Sequence, residues 1–148
     1  MRKRIKVALL PGWSDFSREN PEGPATYLRD LSEEPGAFQV SHAEHISGEV
    51  PDPSKQDLVR LASEAGDTEG TAEVIETMWG ECKFGQYGSA VLRSSEYQRM
   101  QVWFLSDGYD FIMATHVCVD EPDQSELVEV QEIVNELVLL KKRWWKLW

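Results

Sequence analysis

The sequence predicts an α+β fold in which an antiparallel sheet of about six strands carries two main helices, as an α/β/α-type sandwich. Two observations support this prediction. Between residues 71 and 119, strand-like apolar segments follow one another with short turn sequences between them, which is typical of an antiparallel meander. Helical apolar spacing appears on either side of this region, at residues 53–66 and 123–138. The 148 residues, 41% of them hydrophobic, fit one domain, 1–148, with a C-terminal tail at 141–148.

The first part of the chain is predicted to contain two strands. Residues 5–10 form the first, which Pro11 and Gly12 end. A polar loop follows, and then one or two helical turns are expected at 25–31. The second strand is expected at 37–41 and to continue towards His45.

The first main helix has clear start and stop signals. Asp52 can cap it, Pro53 suits the first helical position, and Gly66 ends it. Its apolar stripe comprises Leu58, Leu61, Ala62 and Ala65.

Four strands make up the predicted meander. They lie near 72–79, 86–93, 98–105 and 109–119. We expect Gly88, Ser89 and Ala90 to be small because a helix packs closely over that strand.

Asp107 and Gly108 predict a two-residue turn between the last two strands, which would pair Phe104 with Phe111. The turn would also pair Val102 with Met113 on that face, and Trp103 with Ile112 and Gln101 with Ala114 on the other. Both faces of this hairpin would be apolar, which predicts a central hairpin covered on both sides. Asp110 is expected at the exposed mouth.

The second main helix is predicted to start with a capping box. Asp123 would be its first member and Glu126, three residues later, its second. The predicted buried face comprises Leu127, Val130, Ile133, Val134, Leu137 and Val138.

The charge is strongly uneven along the chain. Eight of the 15 basic residues lie in 1–6 and 141–148, so 7–140 holds seven basic residues against all 26 acidic ones, a net charge of −19. Such a body should repel nucleic acid and anionic membranes, and it favours basic partners or simply solubility. The apolar run 7–10 is too short for a secretion signal, which indicates a cytoplasmic protein.

His116 and Cys118 are the most suggestive pair for chemistry, because they share one face of a strand. They could begin a zinc site, with Cys82 as a third ligand, or a Cys–His nucleophile pair. With Trp103 they could also line a pocket. The alternative, a buried cysteine beside a strand-end histidine, is favoured because no zinc-ligand spacing accompanies them. No catalytic residue, metal or cofactor is therefore predicted.

The C-terminal tail interleaves basic and aromatic residues. They are Lys141, Lys142, Arg143, Trp144, Trp145 and Trp148. Such a segment can bind a membrane interface or stack on single-stranded nucleic acid. We favour the alternative, in which the tail continues the last helix and its tryptophans cover the core edge or a partner in a homodimer.

The stretches "LLPGWSDFS" and "QVWFLSDGYDFIMATHVC", with a capped helix between them and an amphipathic helix after them, resemble the PsbP/DcrB-like group. This group includes the Ran-binding Mog proteins and bacterial families of unknown function, and the resemblance runs from Ile5 to Leu140. It implies a sandwich around an antiparallel sheet, used as a non-enzymatic binding or chaperone-like module, with no shared catalytic residues to transfer.

Two functional hypotheses follow. The first is a bacterial-type, non-catalytic protein that binds another protein, in the manner of a chaperone, an adaptor or an immunity factor against a basic toxin. The second is a small-molecule binder or enzyme that uses a pocket lined by Trp103, His116 and Cys118.

Overall fold

The computed structural model describes residues 4–19, 21–42, 53–67 and 70–140. These residues form nine strands, two helices and one short 3-10 turn at Ser17–Glu19. The strands are β1 (Arg4–Lys6), β2 (Trp13–Asp15), β3 (Ala25–Arg29), β4 (Ala37–His42), β5 (Glu73–Cys82), β6 (Gly85–Arg93), β7 (Arg99–Ser106), β8 (Phe111–Cys118) and β9 (Val138–Leu140). The helices are α1 (Lys55–Gly66) and α2 (Gln124–Asn135). No helix among the described residues is both long enough and apolar enough to cross a bilayer.

The main sheet has seven antiparallel strands in the order β2-β3-β4-β8-β7-β6-β5. A hydrophobic core lies on each of its faces. The core under α1 contains Leu58, Ala62, Ala90, Leu92, Val102, Phe104 and Phe111. The core under α2 contains Trp13, Tyr27, Phe38, Val40, Trp103, Leu105, Ile112, Ala114, Val130, Ile133, Val134 and Leu137. The predicted α+β sandwich is therefore confirmed.

The β7–β8 hairpin is central and covered on both faces, as predicted, but its predicted register is wrong by two residues. Ser106 is the partner of Phe111, and Phe104 is the partner of Met113. The turn spans four residues because Asp107 Oδ1 accepts hydrogen bonds from the backbone nitrogens of Tyr109 and Asp110, at 2.9 and 2.8 Å. A shift of two leaves every side chain on its predicted face, since side chains alternate with a period of two.

The predicted exposure of Asp110 is also wrong. The longer turn carries this residue to the end of β4, where it is 7% exposed. Its Oδ1 lies 3.7 Å from Nε2 of His42, the last residue of that strand. His45 lies outside the described residues.

Two segments not predicted as strands extend the sheet. Ala25–Arg29 is a strand, not helical turns, and it pairs through Tyr27 with Phe38 of β4. Trp13–Asp15 adds the outer strand β2 beside it. A five-residue segment that buries alternate side chains can satisfy its backbone in a sheet, whereas one helical turn could not.

The last helix is shorter than predicted. It ends at Asn135, because Val138–Leu140 forms β9 and pairs with β1 instead of continuing the helical face. The first predicted strand therefore belongs to this separate two-stranded sheet. The tail residues 141–148 lie outside the described residues, so the tail predictions stay open.

The predicted capping interactions of both helices differ from the observed ones, although Asp123 is the N-cap residue of α2 as predicted. Helix α1 is capped by Ser54, which forms a capping box with Asp57, while the predicted cap Asp52 lies outside the described residues. Asp123 stands at the N-cap of α2, but it makes no side-chain capping bond. Glu126 is directed into the protein instead.

Helix α1 lies almost on the backbone of β6 at Gly88. A Cβ on residue 88 would collide with the backbone of Leu58 and Val59, which confirms the prediction of close helix packing over this strand.

We therefore expect Gly88→Ala to lower the free energy of unfolding by about 1–3 kcal/mol, because α1 must move off the sheet. Urea unfolding would measure this loss. Gly80→Ala is the matched control: its new methyl group would meet the end of the Tyr87 side chain, which can move aside. Equal losses in both variants would contradict the proposed backbone contact.

Candidate functional site

His116 and Cys118 lie on β8 and share its α2-side face with Ile112 and Ala114, as their spacing predicts. Both side chains are buried, with exposed fractions of 0% and 2%. His116 is the cross-strand partner of Phe38 on β4 and of Gln101 on β7, so it lies inside the sheet, not at a strand end.

The structure adds a third residue, Glu126, from the first turn of α2. Its carboxylate is fully buried, and Oε2 lies 2.6 Å from Nε2 of His116. Ser32 Oγ donates to Oε1 at 2.6 Å, and the backbone nitrogen of Gly36 donates to Oε2 at 2.8 Å. An ionised carboxylate only accepts hydrogen bonds, so Nε2 of His116 carries the hydrogen. This group is called the buried cluster below.

Sequence reasoning placed Glu126 in a cap, although a signal for its burial was present. Glu126 lies four residues before Val130, which belongs to the apolar stripe of α2, so both residues fall on the same face of the helix. The structure buries both side chains on the same face of the helix. An acidic residue within an apolar stripe predicts a buried partner across the interface.

The pKa of Glu126 results from two opposing effects. Burial would raise the pKa, because it disfavours the charged form. The hydrogen bonds from His116, Ser32 and Gly36 outweigh burial and hold the pKa below the ordinary value of 4.5. The carboxylate is therefore ionised and fully paired at neutral pH.

Hydrogen bonds extend from the buried cluster to the edge of the sheet. Arg29 on β3 donates from Nη1 to Ser32 Oγ at 3.1 Å. It also donates from Nε and Nη2 to the Glu129 carboxylate, at 3.3 and 3.2 Å. Trp13 Nε1 donates to the same carboxylate at 2.8 Å. Helix α2 is thus fixed to β2, β3 and β8 by polar contacts as well as by its apolar face.

Cys118 is poorly suited to nucleophilic chemistry. Burial and the nearby carboxylate of Glu126 raise the pKa of its thiol to about 12. Its Sγ lies 3.7 Å from both ring nitrogens of His116, while Nε2 of that ring is engaged with Glu126. Gly36 packs directly over His116 and Cys118, which leaves no room for a side chain at residue 36. A Cβ there would lie 2.6 Å from Nε2 of His116 and would also collide with Sγ of Cys118.

His116, Cys118 and Glu126 also form a set of metal-ligand types. One ligand atom from each residue lies within 4.8 Å of the others. Nitrogen, thiolate and carboxylate ligands all suit zinc. However, an ion would have to replace the His116–Glu126 hydrogen bond and displace the chain at Gly36. Hydrogen bonding accounts for the arrangement of Glu126 and His116.

The third predicted pocket residue, Trp103, is packed in the core under α2 and is 1% exposed. Its Nε1 donates to Gln131 Oε1 at 3.1 Å. Five surface cavities over the described residues have linings that do not include Trp103, His116 or Cys118. Cys82, considered as a further ligand, is a free, half-buried thiol at the end of β5 and outside the metal-ligand set.

The most exposed part of the sheet is β5. This ten-residue strand ends the sheet order, so no described strand pairs with its outer side. Val74, Ile75 and Trp79 are 42%, 43% and 53% exposed. Val74 lies opposite Leu92 and Trp79 opposite Gly88, so both side chains lie on the α1 face. Sequence reasoning found this strand but not its position at the edge.

Comparison with known proteins supports the fold alone. No known protein-family profile matches the chain, and no curated protein matches it in sequence. The solution structure of cyanobacterial PsbP (CyanoP) from Synechocystis sp. PCC 6803 aligns with a TM-score of 0.56 at 11% identity, over 92% of this chain and 86% of that one. The protein therefore has a PsbP-like fold, as its resemblance to the PsbP/DcrB-like group implied.

A crystal structure from Bacteroides thetaiotaomicron is also similar. It aligns with a TM-score of 0.46 at 14% identity, over 93% of this chain and 46% of that one.

We expect Glu126→Gln to lower the free energy of unfolding at neutral pH by about 3 kcal/mol, because it removes the buried charged acceptor of hydrogen bonds from His116, Ser32 and Gly36. The depressed pKa of Glu126 stabilises the native state above pH 4.5, and this stabilisation disappears as the pH falls through the lower native value. Denaturant unfolding at several pH values should therefore show a weaker acid dependence in the variant.

Glu132→Gln is the matched control for this measurement. Glu132 lies on the same helix and is exposed, so its amide variant should stay within about 0.5 kcal/mol of the wild type. An unchanged acid dependence in Glu126→Gln would contradict the assignment of the buried ionised carboxylate.

Cys118 should resist alkylation by iodoacetamide at pH 8 in the native protein. With a pKa of about 12, only about one thiol in ten thousand is ionised at that pH, and the sulfur is also buried. Peptide mass spectrometry would measure the modification, with half-buried Cys82 as the internal reference. Equal reaction rates of Cys118 in native and denatured protein would contradict its burial. Such a result would mean that a pocket reaches the thiol, and it would support the small-molecule hypothesis.

Proposed function

We propose that the protein is a non-catalytic, cytoplasmic module that binds another protein, as a chaperone, an adaptor or an immunity-like factor. The observation that carries this proposal is the exposure of Val74, Ile75 and Trp79 on the outermost strand of the sheet. Apolar side chains grouped on an exposed strand are typical of surfaces that bind other chains. The polar and ionic groups of the buried cluster, in contrast, are used within the fold.

The charge of the chain supports a basic partner. The net charge of −11 would attract a basic protein over a distance and speed its association. The same charge disfavours nucleic acid and anionic membranes as partners. A basic protein that must be held or neutralised is thus the partner class favoured by surface and charge together.

The alternative, a small-molecule binder or enzyme centred on Trp103, His116 and Cys118, has less support. All three side chains are packed in the core, and the thiol has a pKa of about 12. A bound substrate would require the segment at Gly36 and the first turn of α2 to separate from β8.

Affinity purification of the chain from its native host would test the proposed function. We expect one protein at near-stoichiometric amounts, lost on combined Val74→Ser, Ile75→Ser and Trp79→Ser substitution. The matched control is Tyr109→Ser with Val119→Ser, which removes exposed apolar side chains elsewhere. Native mass spectrometry on the same material would detect a small molecule. A bound small molecule, or repeated recovery of the chain alone, would contradict the proposal.

A further inference from the structure

The backbone of β5 has the geometry of a docking strand. It runs for ten residues at the end of the sheet, and the segment Glu73–Thr77 is exposed on both faces. The opposite edge of the sheet, β2, is only three residues long. Unpaired amide and carbonyl groups along a long edge can hydrogen bond to an added strand. Of the two edges of the main sheet formed by described strands, β5 is thus the long one.

Three exposed carboxylates follow this edge. Glu73, Glu76 and Glu81 lie at its start, middle and end, and no ion pair within the described part of the chain involves them. Arg93 lies opposite Glu73 on β6 and offsets part of its charge. Glu76 lies opposite Val91, with Arg99 within electrostatic reach, and Glu81 lies opposite the uncharged Gln86. A strand added outside β5 would therefore meet negative charge along its length.

These acids disfavour a second copy of the chain as the added strand. An antiparallel pair of β5 strands would bring the three carboxylates of each copy to the same seam as those of the other copy. Like charges directly opposite each other destabilise strand pairs. A strand with basic side chains at these positions would instead form cross-strand ion pairs.

We infer that β5 binds an extended segment of a partner protein, which adds to the sheet as a further strand and carries lysine or arginine opposite the three acids. Its apolar side chains on the α1 face would cover Val74 and Trp79, next to the basic residue opposite Glu81. The basic residues opposite Glu73 and Glu76 would lie on the other face. This inference rests on the proposed function, because it specifies the surface and the chemistry of the partner segment.

Synthetic peptides test the inference without knowledge of the partner. The probe is a blocked decapeptide of valine and threonine that carries lysine at the positions opposite the three acids. One control replaces lysine with glutamate, and a second keeps the lysines but methylates alternate backbone nitrogens. Fluorescence anisotropy should show binding of the basic probe and about tenfold weaker binding of each control, since exposed ion pairs and strand hydrogen bonds are lost. Hydrogen exchange should show new protection at β5 amides.

Two charge-matched variants separate local from overall electrostatics. Glu73→Lys, Glu76→Lys and Glu81→Lys together should reverse the preference, so that the acidic peptide binds more tightly. Substitution of the exposed residues Glu33, Glu96 and Glu132 by lysine changes the net charge equally and should preserve the preference. Absence of binding by the basic probe, equal binding of the methylated peptide, or an equal effect of both variants would overturn the inference.

The purification described above keeps the two proposals distinguishable. If a host protein binds the wild type and also binds the triple lysine variant of β5 equally well, the protein-binding function stands and the β5 strand inference fails. If no host protein is recovered while the basic peptide binds β5, the strand chemistry is present and the proposed function fails.

Discussion

The buried carboxylate of Glu126 is the contact on which the α2 side of this fold depends. The burial of apolar side chains holds helix α2 on the sheet, but such burial has no direction of its own. The pairing of Glu126 with His116 fixes the first turn of the helix at one position on β8. Ser32 and Gly36 bring the chain before β4 to the same point. One ionic group thus sets the relative positions of three segments.

The closed sandwich determines where function can reside. Each face of the central hairpin is covered by a helix and packed with apolar side chains. Of the groups most typical of catalysis, His116 and Glu126 are bonded to each other across the sheet–helix interface, and Cys118 is buried beside them. The proposed binding surface lies instead at the periphery of the sheet, where β5 is the long strand with an unpaired outer side among the described strands.

The sequence predicted those features that depend on local pattern. The two helices, the four meander strands and the shared face of His116 and Cys118 all follow from apolar spacing. It did not predict features that depend on distant partners. Trp13–Asp15 and Ala25–Arg29 are strands because β4 is available beside them. Glu126 has the local pattern of a cap as well as a position in the apolar stripe of α2, and its burial depends on the hydrogen bonds that β8 and Gly36 supply.

The acids of β5 serve two physical purposes that a single surface rarely combines. An open, partly apolar edge of ten residues would tend to aggregate with other copies of the chain. Glu73, Glu76 and Glu81 oppose such self-pairing by repulsion. In the proposed function, the same charges would attract a basic strand, so the feature that opposes self-pairing would also select the partner. Charge would then allow the edge to stay open to a partner while it disfavours pairing between copies.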